Sequence, residues 1–200
     1  MAFDMMPVST EAPRCSEFAR SIDVLPPGTG LFLDRVVLVS VPLPWPKPAL
    51  NHELLRPLSA LLSASATNSR LFAMEPTSEH LDVEVYERAG ATMTSRRWHV
   101  AQSQDLPAVI SAIADCAIGE LDTINVAGVD SVRSDNAVAA TFLVCTQGSH
   151  DSCCGIDGVA LADEIESSRA GYVVRRVSHT GGHRFSPTFL SFPTGRMWAF

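Results

Sequence analysis

The chain has 200 residues, a formal net charge of -7 and 46% hydrophobic side chains. That apolar content suffices for a packed core, and the length suits one large domain or two small ones. Only fifteen Lys and Arg are present, so there is no basic stripe for a phosphate backbone, which argues against nucleic acid as the main partner, whereas an acidic surface suits transient docking to a basic protein.

Residues 1–30 are rich in Pro, Ser and Gly and read as an irregular lead-in that closes at Pro26-Pro27-Gly28. The first residues carry Asp4 and Glu11 without a basic-then-apolar order, so no secretory signal is expected. The longest apolar stretch, Leu31 to Trp45, is broken by Asp34, Arg35 and prolines, too interrupted to span a membrane. These features lead us to expect a cytoplasmic protein with no membrane partner. In a reducing compartment, five cysteines, an odd number, serve more often as ligands or redox groups than as staples. Cys15, in the lead-in, reads as a small apolar residue.

Residues 31–118 read as an N-terminal α/β half. Val36 to Val41 is a nearly continuous β-branched run, the pattern of a strand buried on both faces. Leu50, Leu54, Leu55, Leu58, Leu61 and Leu62 recur at helical spacing, with Pro57 either kinking that helix or marking its first turn. Arg70 to Glu75, Leu81 to Glu87 and Arg96 to Gln102 are strand candidates; in the second, Val83 and Val85 are expected inward with Asp82 and Glu84 outward. Asp105 is expected to cap a helix with Val109, Ile110, Ile113 and Ala117 on one face, which makes Cys116 structural. His52, His80 and His99 read as surface residues.

Residues 119–136, with two glycines and three aspartates, read as a connecting segment, and residues 137–200 as a second half. Ala139 to Val144 is a buried strand that delivers Cys145 at its C-terminal end; a loop, a modest helix over Val159 to Ser168 and a strand over Tyr172 to Val177 follow, and the last delivers His179. Strand, helix and strand in succession make a crossover with parallel strands, so the loops after both strands emerge at one edge of the sheet, the edge where open α/β sheets place their ligands. Ser186 to Phe200 reads as two short strands around a Pro193-Thr194-Gly195 turn. This hairpin resembles that of thioredoxins, which implies a cis peptide at Pro187. The order of elements in the two halves can be laid over itself, although no residues repeat. The second half stops where an equivalent closing helix would begin, which leaves three readings open: the protein dispenses with that helix, the chain is shortened, or the two halves cover each other's faces.

Cys145, the adjacent Cys153-Cys154 pair, His179 and His183 supply soft and borderline ligands for one metal centre. Gly181 and Gly182 between the histidines disfavour a helix by about 2 kcal/mol, so the motif is expected to be a loop. The segments Cys145-Thr-Gln-Gly-Ser-His-Asp-Ser-Cys-Cys154 and Ser178-His-Thr-Gly-Gly-His-Arg-Phe185 resemble the sucrase/ferredoxin-like family, with His150 standing where that pattern commonly has arginine. The resemblance implies a thioredoxin-like mixed α/β sheet with flanking helices, and a [2Fe-2S] cluster held by Cys145, Cys154, His179 and His183. It leaves Cys153 spare and implies an electron-transfer protein working with a redox partner protein that the sequence does not identify. No Gly-x-Gly-x-x-Gly after a strand and no P-loop is present, so any flavin or nucleotide would come from that partner. No carboxylate pair stands out for sugar hydrolysis. Two other readings fit the same residues: a thiol-dependent reductase or peroxidase using Cys153 or Cys154, and a zinc-stabilised Cys2His2 interaction module.

Overall fold

A computed structural model describes residues 14–133, 140–150, 152–168 and 171–199, with the side chains of Arg133 and His183 outside that set. Its helices are α1 (Cys15–Ser21), α2 (Leu55–Ser63), α3 (Leu106–Asp115) and α4 (Val159–Ser167). Its strands are β1 (Arg35–Ser40), β2 (Ser69–Met74), β3 (Leu81–Ala89), β4 (Thr92–Val100), β5 (Val129–Arg133), β6 (Thr141–Cys145), β7 (Val173–Val177), β8 (Thr188–Phe192) and β9 (Arg196–Ala199). Among the described residues the fold is thus mixed α/β: nine strands form one mixed sheet in the order β5-β4-β3-β1-β2-β7-β6-β8-β9, with four helices.

The β-branched run becomes β1, every residue of which is buried. Val37 and Val39 meet Leu55, Leu58 and Leu62 of α2 and Val109, Ile110 and Ile113 of α3, while Val36 and Leu38 point into a second cluster on the other face. Pro57 lies in the first turn of α2, where its missing N–H has no intrahelical partner to lose. Asp105 does not cap α3: it ends a short 3-10 turn with its backbone already helical and makes no side-chain cap bond. Residues 1–30 are not irregular throughout, since Cys15–Ser21 is helical; residues 1–13 lie outside the described set. The connecting segment contributes β5, which pairs with β4 through Val129↔Val100.

The second cluster explains the largest departure from expectation. Met74↔Val177 is the register pair that joins β2 to β7, and around this corner the β6–β9 portion folds over the β1–β4 portion. Tyr86 on β3 and Phe192 on β8 have ring centroids 4.1 Å apart, and the Met93 N–H donates to the Pro193 carbonyl at 2.7 Å. Val36, Leu38, Phe72, Met74, Leu143, Val177 and Leu190 fill the space between. Asp82 and Glu84, expected outward by alternation, are therefore buried. Glu84 pairs with Arg97 of β4 and, across the fold, with Arg175 of β7 at 2.9 Å, and Asp82 pairs with His99. His99 is thus half-buried and paired rather than a plain surface residue; His52 is also half-buried, and His80 is exposed.

The crossover is as expected. β6 and β7 are parallel neighbours, and Cys145 stands opposite Val177, so the cysteine loop and the histidine loop leave the sheet side by side. The C-terminal hairpin forms, and the Ser186-Pro187 peptide is cis.

Candidate metal centre

Cys145 is the last residue of β6, completely buried. The chain then turns through residues 146–150 and returns in a helix that is α-helical at 152–153, widens into a π turn at Cys154–Gly158 and runs into α4. Such a turn offsets side chains relative to the α-helix that follows and is frequent at functional sites. Two glycines let this helix sit on the cysteine strand. A Cβ on Gly158 would lie 1.9 Å from the Cys145 carbonyl oxygen, and one on Gly155 would lie 2.6 Å from the Gly148 Cα. The seating carries Cys154, also completely buried, back over Cys145.

His179 arrives from β7. Ser178 beside it pairs with Ala73 of β2 through its N–H at 2.9 Å and accepts the Ala73 N–H at 3.1 Å through its hydroxyl. Past His179, Gly181 and Gly182 have φ of +96° and +69°, conformations that side-chain-bearing residues rarely adopt; the motif is accordingly a loop. Thr188 of β8 holds it, its hydroxyl lying 3.1 Å from that of Thr180 and donating to the Gly181 carbonyl at 3.2 Å.

The three ligand atoms converge. His179 Nδ1 lies 3.6 Å from Cys145 Sγ and 3.7 Å from Cys154 Sγ, and all three atoms fall within 4.8 Å of one another. The two thiols are buried and His179 is partly exposed. The Cys145 thiol is pushed down from 9.0 to about 5: a hydrogen bond with Cys154 contributes most, those from His179 and the Thr180 N–H add to it, and desolvation opposes. His150 stacks on His179, with ring centroids 3.9 Å apart and planes 13° apart.

Of the residues singled out in the sequence, the structure thus brings together Cys145, Cys154 and His179. His183 opens the 3-10 turn His183–Phe185, and its side chain, like Asp151, lies outside the described residues. Cys153 points elsewhere: it is buried against α1, with the Ser16 hydroxyl 3.9 Å from its sulfur. Cys116, at the C-terminal end of α3, has its thiol raised chiefly by burial, and Cys15 is exposed. None of the five cysteines is in a disulfide.

The donor set suits a metal centre. Two thiols and an imidazole, one thiol already poised as thiolate, match the preference of soft and borderline metals. Two buried hydroxyl oxygens close by in the chain, Thr146 Oγ1 next to Cys145 and Ser186 Oγ next to the histidine turn, have no hydrogen-bond partner among the described residues. Sequence reasoning did not single out Gln147, whose side chain contacts the His179 main chain; it occupies the variable position of its motif, and no feature of the sequence marks it.

No described helix is long and apolar enough to cross a membrane. Comparison with curated proteins and comparison with solved structures each return no match. The family comparison does: residues 26–199, a span that holds both the cysteine and the histidine segments, match the Sucrase/ferredoxin-like family, and the chain belongs to that family.

Proposed function

We propose that the protein is an electron carrier that binds a [2Fe-2S] cluster through Cys145, Cys154, His179 and His183, in a thioredoxin-like arrangement of the β6–β9 portion. The observation that carries the reading is the convergence of Cys145, Cys154 and His179 within 4.8 Å in a chain of this family. When bound, such a cluster supplies acceptance and release of one electron. Cys145 and Cys154 anchor it from the buried side, and the low pKa of Cys145 presents a thiolate at neutral pH without a prior proton transfer. His179, the partly exposed donor, lies on the side from which a redox partner protein would approach. Two neutral imidazoles in place of two thiolates remove two negative charges from the site and favour the reduced state.

The reductase or peroxidase reading needs a reactive, approachable thiolate at Cys153 or Cys154. Both are buried, so the geometry favours ligation. The experiment is anaerobic purification of the full chain made with ample iron, followed by metal and sulfide analysis and redox titration. The expected result is about two irons and two acid-labile sulfides per chain, with a potential above the roughly -400 mV of plant-type four-cysteine ferredoxins. One zinc and no sulfide would replace this reading with the zinc-stabilised module.

A further inference from the structure

Gln147 is 3% exposed, and both polar atoms of its side chain are engaged. Oε1 accepts the main-chain N–H of His179 at 3.0 Å, while Nε2 donates to the Pro46 carbonyl at 2.7 Å and lies 3.2 Å from the Ser149 hydroxyl. Around this amide, Ser149 Oγ donates to the Trp45 carbonyl at 3.0 Å and Lys47 Nζ donates to the His150 carbonyl at 2.6 Å. The 45–47 segment is itself anchored, because Trp45 is buried and its indole N–H donates to the Val41 carbonyl at 2.9 Å, at the end of β1. One side chain thus joins a loop after β1, the cysteine loop and the histidine loop.

We propose that Gln147 is a positioning residue for His179: it fixes the main chain that carries the imidazole by tying it to the Pro46 carbonyl, and so sets where Nδ1 stands relative to Cys145 and Cys154. It touches no ligand atom itself. A glutamine amide has the required chemistry, an acceptor on one side and two donors on the other in a single plane. The reverse amide orientation would set its NH2 against the His179 N–H and its oxygen against the Pro46 carbonyl, so the partners determine the orientation. Without that acceptor the His179 N–H loses its bond, and the loop relieves the loss by moving. The inference rests on reading this site as a metal centre, but not on which metal.

The test uses the full metal-free chain, its Gln147→Met and Gln147→Glu variants, and Co2+ alone as the probe. Gln147→Met keeps length and volume and removes both bonds; Gln147→Glu keeps an acceptor for the His179 N–H and loses the donor to Pro46. In Gln147→Met, exchange of the His179 amide hydrogen should quicken by about tenfold or more. Co2+ binding should weaken by about tenfold to a hundredfold, as when the group orienting a ligand is lost, and the d–d bands should shift. Gln147→Glu should hold amide protection within about threefold and weaken Co2+ binding less than the methionine variant does. Unchanged exchange, affinity and bands in Gln147→Met would overturn the proposal; if that variant does not fold, loss of amide protection in Gln147→Glu would do so. A parent chain that binds no Co2+ also overturns it. A parent that binds Co2+ but assembles no iron and sulfide ends only the cluster reading.

Discussion

Cys153 and Cys154 are chemically identical neighbours with opposite environments. Cys154 faces His179 Nδ1 at 3.7 Å, and Cys153 faces the Ser16 hydroxyl on the other side of the helix turn. Cys154→Ser should therefore abolish metal retention, while Cys153→Ser should purify with the parent's metal content; the reverse pattern in metal analysis would show that the ligand is the other thiol. The depressed Cys145 thiol makes a second prediction. Its folded value, about 5, lies below its ordinary 9.0, so its contribution to stability is fully present above about pH 9 and fades as pH falls through 5. The thermal midpoint of metal-free parent over Cys145→Ser should accordingly grow from pH 5 to pH 9, and a constant gap across that range would contradict the assignment. At this scale the sequence was informative where chemistry is local: residue types marked Cys145 and the Cys153-Cys154 pair as candidate donors, and the resemblance to the sucrase/ferredoxin-like pattern implied Cys154 rather than Cys153. It was silent on Gln147, because a glutamine at that position reads as loop polarity until the fold brings Pro46 and His179 to either side of it.

Between Cys145 and α4, the elements meet more closely than side chains would allow. Gly158→Ala places a methyl 1.9 Å from the Cys145 carbonyl, so helix and strand must separate. Alanine gains about 1 kcal/mol in helix propensity, but forced separation of a packed contact costs typically about 1–3 kcal/mol. A net destabilisation of up to about 2 kcal/mol, read by urea unfolding of the metal-free chain, should be accompanied by weaker metal retention; a stabilised variant would show that the approach is not constrained. The parallel β6–β7 pair was legible, because two short β-branched runs separated by a helical pattern admit one common connection. The π turn was not, since it is distinguished from α-helix by a shift in hydrogen-bond partner that leaves no mark on hydrophobic spacing. α1 was hidden for a related reason: two of its seven residues are buried, too few to give a periodic stripe. β5, whose strand neighbour is β4, carries too few apolar residues for the alternation to register.

Over the whole molecule, the fold is closed by one portion of the sheet lying on the other. Alternation along β3 was read correctly as two faces, but one was assigned to water; the strands that cover it arrive more than fifty residues later, and nothing local to β3 announces them. The charges on that face are consequently an internal network. Arg175→Met would leave Glu84 buried with Arg97 as its remaining cation and should cost about 3 kcal/mol, the scale for removing one partner of a buried pair. Pairing it with Glu84→Gln should recover part of that loss; a single-variant effect below about 0.5 kcal/mol in urea unfolding would mean that the ion pair contributes little to holding the portions together. α1 adds an order of events. It packs on the His183–Phe185 turn, Arg14 meets Asp157 at 2.7 Å across 143 residues of chain, and Ser16 meets Cys153 across 137. At roughly 5–20 residues per second of synthesis, the ribosome releases α1 about 7–30 s before those partners exist. During translation the cysteines emerge before the histidines, and α1 can close over both only once the His183–Phe185 turn has been made, so the covering of this site follows synthesis of the histidine segment.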